Sequence, residues 1–190
     1  MDITYRALIT ELHGMLFGAF FILALFGLLV LLYRSVFETQ PAVVTPRGRC
    51  LEQIYLIGLP VFGWLAVLSG AYIVYPWYRA VPPAGTVLTS TNFPRYFLLS
   101  NAATAGWHNI GMEWKEYVAW YAVIAATMLA YVLIRYGSAI HLHAEMRTIV
   151  ITFATVAFLT AGIAGALGAL INKAAPVEGG NIIHMTGGAK

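Results

Sequence analysis

Four long apolar runs, a shortage of charged residues and turn-forming residues between the runs predict an all-α integral membrane protein. The expected architecture is a four-transmembrane-helix bundle with a long outer loop between helices 2 and 3. Of 190 residues, 60% are hydrophobic and 10% charged, and the mean hydropathy is +0.76. A soluble domain carries about 25% charged residues, so water is not the main solvent of this chain. An uncharged run of about 20 residues is what a bilayer crossing requires, and a helix satisfies its own backbone hydrogen bonds there.

The first span is expected at about 12–33, opening on Leu12-His13-Gly14. Met1-Asp2-Ile3-Thr4-Tyr5-Arg6 lacks a basic n-region and a small-residue cleavage site, so this span is expected to be retained rather than cleaved. The second, at about 53–78, contains Pro60, expected to kink it, and Pro76, expected to end it inside the aromatic cluster Tyr75-Pro76-Trp77-Tyr78-Arg79. The third, at about 113–136, begins with Glu113, Lys115 and Glu116 at headgroup depth; the trio reads first as an interfacial anchor, with Glu113 or Glu116 also placed to pair with Arg79. The fourth, at about 148–172, repeats small residues at Ala157, Ala161, Gly165 and Ala169, a seam that admits a neighbouring backbone.

Between these, Gln40-Pro41 and Thr45-Pro46 break the first connection, and Pro82-Pro83-Ala84-Gly85 opens the outer loop at 79–112. Within that loop, Tyr96-Phe97-Leu98-Leu99 reads as a surface segment on the membrane or as a docking site for an outside electron carrier. Residues 173–190, rich in glycine, are expected to form a flexible tail. The short connections hold Arg34, Arg47, Arg49, Arg135 and Arg147, a denser positive charge than the other side carries. The positive-inside rule then puts both termini outside, in a bacterial inner membrane.

Composition excludes several classes. The net charge of +3 forms no basic stripe, so nucleic acid is not an expected partner. Cys50 is the single cysteine, which rules out an intrachain disulfide and covalent CxxCH haem attachment. Neither a nucleophile–base pair nor a phosphate loop is present, so hydrolysis is disfavoured. The expected partners are lipid and other membrane subunits.

One constellation carries candidate chemistry. His13 and His108 each stand near the start of an apolar helix on the same side, and two imidazoles at equal depth would clamp one metal ion or haem iron. Met112, four residues after His108, shares its face and offers a thioether as a substitute ligand. Gly14 and Gly18 would clear space for a flat macrocycle, and Arg79 would receive a propionate. The expected cofactor is haem b, with quinone as a further redox partner. His184-Met185, with these groups, suggests copper(I) as a competing metal. His141 and His143 read as a solvated turn on the opposite side. In architecture this resembles the small membrane anchor subunits of redox complexes, four- or five-helix bundles that bind b-haem and sometimes quinone. The resemblance implies an electron-transfer subunit; the alternatives are a cofactor-free assembly subunit and a copper-handling transporter.

Overall fold

Three of the four long helices start at a capping residue, earlier than hydropathy alone marks. The computed structural model describes residues 2–37, 45–140 and 143–184. Among these, four helices are long and apolar enough to cross a membrane, in keeping with an all-α membrane bundle. The first, α1 (Tyr5–Arg34), begins where the Thr4 hydroxyl accepts from the Ala7 N–H at 3.2 Å. The second, α2 (Pro46–Tyr78), begins behind Thr45, whose hydroxyl accepts from the Gly48 N–H at 3.1 Å; Pro46 follows with its φ already preset. A short helix, α3 (Pro94–Leu99), interrupts the long connection. The third long helix, α4 (Ala102–Gly137), is capped by Asn101, which accepts from the Ala103 N–H at 2.9 Å. The last is α5 (Ala144–Ala174).

The expected starts at residues 12, 53 and 113 therefore move outward to 5, 46 and 102. Hydropathy locates the apolar slab, whereas hydrogen-bond propagation carries each helix on to its cap. The helix α2 continues through Pro60 and stops at Tyr78, two residues after Pro76.

Each long helix packs on the next in the chain, and α5 closes the bundle against α1. Aromatic pairs set the antiparallel register: Phe20 stacks on Phe62 at 5.4 Å, Trp64 meets Trp120 edge-on at 6.2 Å, and Phe26 meets Phe158 at 5.8 Å. The core is centred on Phe21, Leu25, Leu59, Val123, Ala154 and Ala157. The small-residue seam of α5 is present but follows a different line. Its buried stripe runs Ala154, Ala157, Ala161, Ala164 and Ile171, while Ala169 is exposed. Steps of four drift by about 40° each around a helix of 3.6 residues per turn, so a straight seam must alternate threes and fours.

The loop and tail differ from expectation. Leu98 of α3 is fully buried with Tyr78, Met112 and Ile171, so α3 seals the end of the bundle rather than lying only on a surface. Of the expected flexible tail, Ala175 and Val177 are buried. Beyond them, β2 (Ile182–His184) pairs antiparallel with β1 (Asp2–Thr4), reached through Gly179 and Gly180 at φ +106° and +82°. The Tyr5 N–H donates to the Asn181 carbonyl at 2.9 Å, and Arg6 N–H to Gly179 at 3.2 Å. Both ends of the described chain, the long loop and α3 thus share one face, called here the terminal face.

Helix approach at Gly63 is close enough to test. A methyl group there would lie 2.8 Å from Phe21 Cε2 and from Val123 Cγ2. Overpacking of this kind costs roughly 1–3 kcal/mol, so Gly63→Ala should lower the melting temperature in detergent, measured by circular dichroism.

Candidate functional site

The histidine, lysine and carboxylate side chains held between the long helices collect near the terminal face. From residue 14 to 33, 53 to 78, 117 to 134 and 148 to 172 the helices carry no Asp, Glu, Lys, Arg or His. Toward that face, three side-chain hydrogen bonds join α2 to its neighbours. On α2, Ser69, Tyr75 and Tyr78 each present a hydroxyl. Ser69 Oγ meets His13 Nδ1 of α1 at 3.1 Å, Tyr75 donates to Glu116 Oε2 of α4 at 2.8 Å, and Tyr78 meets His108 Nδ1 of α4 at 3.0 Å.

Local geometry places these groups. Leu12–Gly18, Gly70–Val74 and Trp107–Met112 are π-helical turns within α1, α2 and α4, a widening that recurs at functional sites. His13 and His108 lie on two of them, one to two turns inside their helices rather than at the starts. The His13 ring rests on Gly70: a Cβ built there would be 2.6 Å from His13 Cε1 and 3.2 Å from Nε2. Ser69 Oγ also lies 2.6 Å from the Leu65 carbonyl, to which its hydroxyl donates. Its oxygen is then the acceptor for His13 Nδ1–H, which leaves a lone pair on Nε2.

Lys115 is the group that sequence reasoning underrated. Gly111 of α4 packs on Ile171 of α5, and one turn later a Cβ at Gly168 would lie 2.5 Å from Lys115 Nζ. The side chain therefore crosses straight to α5 instead of rising to the terminal face as an anchor does. Among the described residues no hydrogen bond or ion pair reaches its ammonium, and it is close enough to act electrostatically on His13. A charge flanked by an apolar run on one side and aromatic residues on the other was the available signal; its direction was not.

The two histidines do not meet as one clamp. Their contact points on α2, Gly70 and Tyr78, are eight residues apart, about 12 Å of helical rise. On α4, His108 stands seven residues, about 10 Å by the same ruler, before Lys115, the residue of that helix that acts electrostatically on His13. Two imidazoles across one iron stand about 4 Å apart, given metal–nitrogen bonds near 2 Å. The expectation of equal depth is thus corrected, because hydropathy marks where a span begins but not how neighbouring helices register. Among the described residues no group of three or more His, Cys, Asp and Glu could hold a metal ion.

The remaining expected residues are scattered. Met112 is buried beside Tyr78, Leu98 and Ile171, on the same face as His108 and so unable to oppose it across an iron. Gly14 is exposed with nothing within 4 Å of an added Cβ, and a Cβ at Gly18 would meet only the His13 carbonyl; neither opens space inside the bundle. Arg79 is exposed, its guanidinium 5.5 Å from the Tyr75 ring centre, while Glu116 takes the Tyr75 hydroxyl rather than Arg79. Arg95 of α3 turns inward with a buried Nε that has no hydrogen-bond partner among the described residues and acts electrostatically on His108. His184 pairs with Asp2 at 2.9 Å on the surface, and His143 is exposed ahead of α5. His141 and Met185 lie outside the described residues. No family model, characterised protein or solved structure matches the chain.

A double-mutant cycle on Tyr78→Phe and His108→Phe checks the buried pair. Interhelical hydrogen bonds of this type are worth about 0.6 kcal/mol on average and about 1.7 at most, so thermal unfolding should give a coupling energy within that range.

Proposed function

We propose that the chain is a multi-pass membrane subunit of a redox complex, exchanging protons and electrons with a membrane-soluble hydrogen carrier near the terminal face. The observation that carries this reading is the trio of α2 hydroxyls bonded to His13, Glu116 and His108 above uncharged helices. A chain of titratable groups that stops at one side does not suit a transporter, which needs polar groups through the whole thickness. It suits a reaction in which a carrier rests in the bilayer and its protons enter or leave on one side. Oxidation of a quinol-type carrier releases two electrons and two protons. The electrons pass to a one-electron centre of a neighbouring subunit or an outside carrier, and the protons pass through His13 and Glu116 to the terminal face. Arginine density favours placing that face outside. Val81 and Val87, 74% and 78% exposed in the long loop, offer apolar surface to a partner there.

A second reading has its own support. The His108 ring is buried, with Nδ1 held by Tyr78 and, among the described residues, no hydrogen bond to Nε2, the arrangement that orients a ligating imidazole. A b-type haem bound there would take its second axial ligand from another subunit. The signature is a reduced-minus-oxidised α-band lost in His108→Ala and retained in His13→Ala.

The test of the main reading uses the complex isolated through a tag on this chain and reduced with a short-chain quinol. Glu116→Gln and His13→Gln should each slow quinol-dependent reduction of the complex by about tenfold or more, within the range of a lost acid–base group. Unchanged rates in both folded variants would leave a cofactor-free assembly subunit as the better account.

A further inference from the structure

We infer that His13, Ser69 and Lys115, seated on Gly70 and Gly168, form a binding site for a quinone head group where all four long helices converge. This rests on the redox reading and names its substrate class. Each helix contributes one part. His13 comes from α1 and Ser69 with Gly70 from α2; Lys115 comes from α4 and Gly168 from α5. The two glycines admit the polar side chains: a Cβ at either would come within 2.6 Å of the His13 ring or the Lys115 ammonium.

The donor pattern matches the ligand. His13 Nε2 presents a lone pair, because Nδ1–H is committed to Ser69; it therefore accepts from a hydroquinone hydroxyl. Lys115 presents N–H donors without an acceptor among the described residues, and these suit the oxygen at the other side of the ring, reduced or oxidised. The ammonium is the mobile end of a flexible chain, so a ring enters by displacing it from the Gly168 backbone.

Depth favours a quinone over a phospholipid. The uncharged stretches 14–33 and 117–134 rise about 30 Å, one hydrocarbon thickness, and His13 and Lys115 stand at their upper edge. A ring with two polar oxygens and an apolar tail rests at that boundary. A phosphate diester with two acyl chains stays outside the bundle, whereas Lys115 points to its middle.

The experiment titrates decylubiquinone and a short-chain menaquinone analogue into the full-length protein in nanodiscs of phosphatidylcholine, following quenching of tryptophan fluorescence. Saturable binding at one site per chain is expected, weakened at least tenfold by Lys115→Met and by His13→Phe and less by Lys115→Arg. Size-exclusion profiles and circular dichroism confirm that each variant is folded; His13→Gln serves if His13→Phe is not. Absence of saturable quenching, or affinities that both substitutions leave unchanged, overturns the site. So does loss of quinone binding in phosphatidylglycerol nanodiscs, which would assign Lys115 to an anionic lipid. Quinone binding without turnover in the complex would keep this site and remove the redox role; turnover in Lys115→Met with unchanged binding would do the reverse.

Discussion

A polar side chain enclosed by apolar helices needs a partner on another helix, and in this bundle α2 supplies it. Its own backbone groups are satisfied within the helix, so Ser69, Tyr75 and Tyr78 have hydroxyls to spare for their neighbours. Because the three positions are spaced six and three residues apart along α2, α1 is bonded at one level and α4 at two others. Removing a hydroxyl would leave an imidazole or a carboxylate unmatched in a region poor in water, where an unmade hydrogen bond costs more than a made one gains. The register of the terminal half therefore follows from α2.

Wide turns and missing side chains let these bonds coexist with a packed core. Eight α-helical steps from His13 to Phe21 would leave the two about 80° apart around α1. The π turn at Leu12–Gly18 advances less per residue and brings both toward the interior. Gly63 then receives Phe21, Gly70 receives His13, and Gly165 receives Ile22. Gly168 differs from these, since what it receives is a charge. The other polar groups of this layer that bond across helices meet a hydroxyl, an imidazole or a carboxylate, whereas Lys115 meets the bare backbone of Gly168.

The terminal face is closed from above by elements that are remote in sequence. The β1–β2 pair joins the two ends of the described chain, and α3 folds Leu98 onto Tyr78, Met112 and Ile171. Tyr78 thereby takes part in both the apolar seal and the polar layer: its ring packs under α3 while its hydroxyl holds His108. Arg95 enters from the same lid and acts electrostatically on His108 alongside Glu113 and Glu116 of α4.

Much of the architecture was legible in the residues themselves. Uncharged runs are set by the energy of placing charges in hydrocarbon, a property of each segment alone, and they located four helices and the sidedness of His13 and His108. Caps at Thr4, Thr45 and Asn101 were present in the sequence but silent to hydropathy, which is why the helices start earlier than the apolar runs. Which residues face one another was not legible, because depth along one helix has no meaning until a neighbour's register is known. A shift of eight residues along α2 separates an imidazole pair that composition placed side by side. The same packing turned Lys115, by sequence an anchor, across the bundle to Gly168. The sequence by itself determined how many helices cross and where polar groups are tolerated, since solvation acts on each segment independently. Only the tertiary structure decided which polar groups share a site, since that depends on how side chains of different helices interlock.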